Sequence, residues 1–222
     1  MARLKSAREK ATPGSAVESW ASRARELKEQ LAQTPEAAIP EFQFLTEEDW
    51  LAAARKNLDG EANMRRAFSE LRGAGERKFV ALLSKALKKY SDDNGKQPPT
   101  DLSQLQGYFE ERLDDAILQR WEIAPADTVP TVGFGGEVII TQKAAVDDVF
   151  DTRYVVGPNG GHGSTSFLTD LTRDTLNPVY QEYYATSDGK RPKDPAQLLP
   201  FVTTLEQRAA VQKLIMRASA TN

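Results

Sequence analysis

One stretch of this chain is written twice. The segment NGKQPPTDLSQLQGYFEERLDDAILQRW, from Asn94, matches DGKRPKDPAQLLPFVTTLEQRAAVQKL, from Asp188, once one residue is deleted. Gly95 aligns with Gly189, Lys96 with Lys190, Pro98 with Pro192 and Asp101 with Asp194. Gln104 then meets Gln197, Leu105 meets Leu198, Ala116 meets Ala209 and Gln119 meets Gln212. Tyr90 and Tyr184 stand equally far before the two glycines. Each copy reads as a long helix, a Gly-Pro turn, a short helix and a closing helix. A repeated unit of this kind cannot bury its apolar face alone, so the pattern predicts a scaffold in which units pack on neighbours.

The helices around the repeat follow from periodicity and caps. Thr46 is a candidate N-cap with Asp49 at N3, and Leu45 can staple onto Trp50. A long helix is predicted from Glu61 to about Tyr90, with Met64, Phe68, Leu71, Phe79, Leu83 and Leu87 on one face. Gly73 and Gly75 weaken its middle and predict a bend. A helix from about Ser166 to Thr186 contains Pro178, which should kink or divide it. A last helix spans about Thr204 to Arg217.

Between the two copies the pattern changes. WEIAP, GEVIITQK and DTRYVVG are rich in β-branched and aromatic residues and predict three short antiparallel strands. The expected fold class is α+β, mostly helical. Two related units, about 61–121 and 166–217, flank strands at about 121–156 within a globular domain of 46–222.

Ahead of that domain lie two further segments. Residues 1–34 hold a basic start and an amphipathic helix, predicted to begin at a Ser15–Glu18 capping box. Val17, Trp20, Ala24, Leu27 and Leu31 recur at spacings of 3, 4, 3 and 4, a short coiled-coil-like seam. So narrow a stripe suits a partner helix, so protein pairing or self-association through this helix is expected, with packing on its own domain as the alternative. Residues 35–45 carry two prolines and read as an extended linker.

Chemistry is sparse. The glycine-rich stretch Gly157–Ser166 contains the single histidine, His162, with Asn159, Ser164 and Thr165 beside it. No lysine directly precedes Ser164, so it is not a Walker loop, and its glycine spacing does not fit a dinucleotide fingerprint. Backbone N–H groups ahead of the following helix would suit a small anion, making this loop the candidate binding element. No GxSxG elbow supports Ser164 or Ser166 as a nucleophile. YSDDNG departs from a calcium loop, because Tyr90 takes the first ligand position. Asp114–Asp115 and Asp147–Asp148 are adjacent pairs whose side chains point apart. No catalytic set, metal site or cofactor is expected.

With no cysteine, disulfides and thiolate chemistry are excluded. The net charge of −3 argues against nucleic acid as a partner; Arg3, Lys5, Arg8 and Lys10 form the one segment suited to phosphates. No apolar run approaches the roughly 20 residues of a membrane span, so a soluble chain, cytoplasmic or associated with the cell envelope, is expected.

PEFQFLTEEDWLAAARK, DLSQLQGYFEERLDDAILQRWEI, EVIITQKAAVDDVFDTRYVVGPNG and DPAQLLPF together resemble a group of uncharacterised bacterial proteins of Verrucomicrobia type. Members of that group join this region to a sigma-factor domain, or to a membrane anchor and coiled coil. The resemblance implies a place in a larger bacterial system and assigns no catalytic residues. KKYSDDNGKQPPTDLSQL is also locally similar to type II secretion pseudopilins, without their apolar first helix. The expected function is a non-enzymatic interaction or assembly module, for scaffolding or sensing. The alternative is a small-molecule or anion-binding domain, with enzymatic activity left open, built on the Gly157–Ser166 loop.

Overall fold

The computed structural model describes residues 13–129, 133–134 and 138–220, with side chains of the first helix from Trp20 onward. The basic residues Arg3, Lys5, Arg8 and Lys10 lie outside the described residues, as does the side chain of Val17. Six α-helices are described: α1 Pro13–Gln33, α2 Glu47–Ala54, α3 Glu61–Asp93, α4 Asp115–Gln119, α5 Phe167–Thr186 and α6 Leu205–Ser219. Four strands, β1 Trp121–Pro125, β2 Val138–Gln142, β3 Thr152–Val156 and β4 His162–Ser166, pair in the order β1-β2-β3-β4, all antiparallel. The protein is therefore α+β and mostly helical, with one strand more than the sequence predicts. The added strand is the second half of the glycine-rich stretch. Its Asn-Gly-Gly turn follows β3 directly, which is a hairpin signal that low β-propensity in HGSTS conceals.

α3 is the spine. Phe79, Leu83 and Leu87 pack with Leu105, Ile117, Trp121, Ile140 and Val156 to form the main core against the sheet. The helix runs unbroken through Gly73 and Gly75. Gly75 has a different use: a Cβ there would lie 2.7 Å from the carbonyl oxygen of Glu41. That contact is made by the segment predicted to be a linker. Its prolines open two 3-10 turns, Pro35–Ala37 and Pro40–Phe44, and it lies against α3 with Glu41 fully buried. Residues 35–45 are a packed strap rather than an extended linker.

The apolar seam of α1 is also spent within the chain. Ala24 and Leu27 are buried in one cluster with Ala53, Ala54, Leu58, Ala67, Phe68 and Leu71, with Leu31 at its margin. Trp20 is half-buried, with the Arg55 guanidinium 4.9 Å from its ring centre. The expected interaction seam is thus corrected to an internal contact with α2 and α3, whose small alanines admit the helix closely. α1 begins at Pro13, so Ser15 lies inside the helix rather than at its cap.

The two similar segments adopt matching turns, in a register different from the one the glycines suggest. The Tyr90 hydroxyl meets Gln104 Oε1 at 3.3 Å, and the Tyr183 hydroxyl meets Gln197 Oε1 at 3.4 Å. Ser103 N donates to Asp101 at 2.7 Å, and Ala196 N donates to Asp194 at 2.8 Å. The 3-10 segments Leu102–Tyr108 and Pro195–Phe201 correspond residue for residue, and Leu105 and Leu198 are each fully buried. Tyr183, not Tyr184, is the counterpart of Tyr90, and no deletion is needed. Each turn uses two consecutive residues with positive φ: Gly95 and Lys96 in one copy, Asp188 and Gly189 in the other. Glycine occupies the first position in one and the second in the other, which shifts a glycine-anchored alignment by one residue. α5 runs continuously past Pro178 and packs on α6 through Leu176, Val179, Leu198, Ala210 and Val211.

Candidate functional site

The residues of the predicted binding loop do not converge on a cavity. Gly157 and Gly161 close the β3–β4 hairpin, and Gly160 sits against α3, where a Cβ would lie 2.8 Å from the Ser84 carbonyl oxygen. Asn159, His162 and Ser164 are exposed, and Thr165 is half-buried in β4. His162 Nδ1 lies 3.5 Å from Ser84 Oγ, at the limit of a hydrogen bond. The predicted anion site is corrected on this point: the loop is a docked hairpin tip, and none of Asn159, His162, Ser164 and Thr165 lines a described cavity.

Convergent charge lies at the other end of the same hairpin, where Thr152 pairs with Ser166. There a cavity of about 300 Å³ is lined by Arg66, Ser69, Glu70, Gly73 and Arg77 of α3, by Phe150 and Thr152, and by Arg217 of α6. Arg66, Ser69, Gly73 and Arg77 recur at helical spacing and so share one face of α3. Gly73 leaves the floor open; a Cβ there would stand 3.3 Å from Arg77 Nη1. The lining thus holds the side chains of Arg66, Arg77 and Arg217 with those of Glu70, Ser69 and Thr152.

Each arginine donates to at least one neutral acceptor. Arg77 Nη1 donates to the Tyr154 hydroxyl at 3.2 Å, and that hydroxyl donates to the Gly73 carbonyl at 3.3 Å. Arg66 Nη1 donates to the Ala220 carbonyl at 2.7 Å, and its Nε lies 3.4 Å from Glu70 Oε1. Glu70 is shared with Lys56, whose Nζ lies 2.5 Å away. Arg217 donates to Ser166 Oγ, the last residue of the predicted loop. Burial and then the nearby Arg66 charge push the Arg217 pKa down, the direction produced by crowded cations. Burial also raises the pKa of Tyr154, which keeps its hydroxyl protonated as a donor.

Another cavity, about 510 Å³ beside Gln106, Asp115, Trp121 and Lys143, has less to offer. The Asp101 carboxylate on its wall caps Ser103, and Asp115 accepts from Gln106 Nε2 at 2.9 Å. Those carboxylates are thus engaged within the fold.

Behind the arginine pocket the strap, α3 and the sheet share a buried polar cluster. Arg72 holds Asp151, and Arg120 bridges Glu41 and Glu76, with Trp121 Nε1 donating to Glu41 at 2.9 Å. Burial, opposed by Arg120 and reinforced by Glu41 and Asp151, pushes the Glu76 carboxyl up to about 7. The adjacent aspartates are structural too. Burial raises the Asp147 pKa, but Arg65 and the N–H groups of Val149 and Phe150 outweigh it and hold the carboxyl below its usual range. Asp148 pairs with Lys213. Among the described residues no His, Asp or Glu cluster could hold a metal, and no helix is long and apolar enough to cross a membrane.

Sequence reasoning missed the arginine pocket because its members are far apart in the chain. The legible half was MRRAFSELRGAGERK, where the polar face of α3 carries Arg66 and Arg77. No family model, curated protein or solved structure matches the chain.

Proposed function

We propose that this protein is a binding module for a small anion, held between α3 and the end of α6, within the kind of larger bacterial system that the sequence resemblance implies. The observation that carries it is the concentration of Arg66, Arg77 and Arg217 around one cavity. Guanidiniums present fixed forks of donors that match phosphate and carboxylate oxygens. Their mutual repulsion is relieved when an anion enters, so binding should stabilise the fold. The two copies, read as products of a duplicated unit, supply the two sides: Arg66 and Arg77 come from the first and Arg217 from the second. Assembly through α1 loses support because Ala24 and Leu27 are already covered.

Thermal unfolding in phosphate against chloride of matched ionic strength tests the proposal. At a concentration several times Kd, phosphate should add about 1 kcal/mol, or roughly 2–4 °C in Tm. Arg77→Gln, which replaces a side chain oriented only by a hydroxyl, should abolish the added shift while leaving the far-ultraviolet spectrum unchanged. Equal Tm values in the two salts would overturn it.

A further inference from the structure

A further cavity of about 320 Å³ lies between the strap, α3 and residues 108–113, and it shares no lining residue with the arginine cavity. We propose that it is a second, independent ligand site, for an aromatic monocarboxylate whose ring lies on an apolar floor and whose carboxylate meets Lys85 and Lys89.

The floor selects the body of the ligand. It is made by Phe44, Leu82, Phe109 and Leu113. Leu113 is buried and the other three are half-buried, so part of each remains open to a ligand. The two phenylalanine rings are fixed from behind. Each stacks on Phe79 of the main core, with ring centres 6.4 and 6.3 Å apart, and Lys78 Nζ donates to the Phe44 carbonyl at 3.1 Å. Tyr108 also lines the cavity and is fixed in turn: its ring stands edge-on to Tyr90 at 5.4 Å, and its hydroxyl accepts from Asn94 Nδ2 at 3.2 Å. A floor of rings already held in place takes a flat ring with little ordering cost, and offset or edge-to-face ring contacts add to the apolar area buried.

The rim selects the charge. Lys85 and Lys89 are exposed and stand one turn apart on α3, where like charges repel. Among the described residues neither side chain makes an ion pair or a hydrogen bond. A carboxylate between them relieves that repulsion. Glu110, Glu111 and Arg112 complete the charged lining, equally without ion pairs among the described residues. Three cations thus stand with two carboxylates, a balance that one negative charge completes. A phosphate monoester is close to dianionic at pH 7 and would meet the two glutamates with charge to spare. A single carboxylate is therefore favoured over a phosphate.

Titration calorimetry on the full chain at constant ionic strength, with 3-phenylpropanoate, 3-phenylpropan-1-ol, propanoate and phenyl phosphate as probes, decides it. The acid should bind about five-fold more tightly than the alcohol, the upper end for partly exposed ion pairs, and propanoate should give no heat. Lys85→Gln combined with Lys89→Gln, both at exposed positions, should bring the acid down to the affinity of the alcohol and leave the alcohol unchanged. Arg77→Gln should leave binding of the acid intact, and in that chain the acid should bind more tightly than phenyl phosphate. Equal affinities for acid and alcohol, a preference that survives the double substitution, or loss of the acid with Arg77→Gln would overturn the inference. A dimer in light scattering that the double substitution dissociates would also overturn it, by giving the cavity to a second copy of the chain.

Discussion

Arg72 closes on Asp151 across the interior: Nη2 lies 2.6 Å and Nε 3.0 Å from Oδ1, with the two side chains only 2% and 6% exposed. The pair fastens α3 to the entry of β3. Asp151 Oδ2 also accepts from Val146 N and Asp147 N, and Arg72 Nη1 donates to the Ala37 carbonyl of the strap. One ion pair thus ties three segments. Arg72→Met should cost about 3–5 kcal/mol in urea unfolding, because it leaves the Asp151 charge buried with backbone donors alone. Adding Asp151→Asn should recover part of that loss by removing the stranded charge.

The Glu76 carboxyl makes stability depend on pH across a defined window. Its pKa rises from 4.5 to about 7 on folding, so the native state holds a proton that the unfolded chain has released. Stability from this group is therefore full below 4.5, falls as pH rises towards 7 and is level above it. The slope is at most about 1.4 kcal/mol per pH unit, about 3 kcal/mol over the window. Asp49 and Asp147, whose pKa values are lowered on folding from 3.8, act only in more acid solution. Urea unfolding at several pH values should show the wild-type chain losing stability from pH 5 to pH 8 relative to Glu76→Gln. Parallel profiles for the two chains would place the proton elsewhere.

What the sequence made legible was local. The capping box at Thr46 and the start and end of α5 follow from residues within one or two turns of each other. Tertiary partners were less accessible. A seam of Ala24, Leu27 and Leu31 has the same spacing whether its partner is another chain or α2 of its own. Pro35 and Pro40 signal a break in helix equally well for a loose linker and for a packed strap, and only the burial of Glu41 separates the two. The candidate site is the extreme case. Arg217 joins Arg66 and Arg77 only because α6 returns to α3, a consequence of topology that no local pattern encodes.

The two glycines of α3 should respond to alanine in opposite ways. A Cβ at Gly75 would meet backbone, the Glu41 carbonyl oxygen at 2.7 Å, so the strap must shift. Gly75→Ala should therefore destabilise the protein by about 1–3 kcal/mol despite the better helix propensity of alanine. A Cβ at Gly73 would meet the far end of the Arg77 side chain at 3.3 Å and the Tyr154 hydroxyl at 3.4 Å. The guanidinium can move, so Gly73→Ala should leave stability unchanged or raise it by up to about 1 kcal/mol. Denaturant midpoints for the two variants test the strap contact directly.

The register of the two matching turns leads to the last prediction. In each turn one left-handed position is held by glycine and the other by a residue with a side chain: Lys96 at φ 66° and Asp188 at φ 51°. Lysine carries the full steric cost of that conformation, whereas the short polar side chain of aspartate tolerates it better. Lys96→Gly should then stabilise the protein by about 1 kcal/mol, net of the larger unfolded-state entropy of glycine, and Asp188→Gly by a few tenths at most. If the turns instead corresponded glycine to glycine, Lys96 would match Lys190 and Asp188 would match Asn94, neither of which has positive φ. Urea unfolding of the two variants checks the steric argument: a gain at Lys96 no larger than the gain at Asp188 would contradict it.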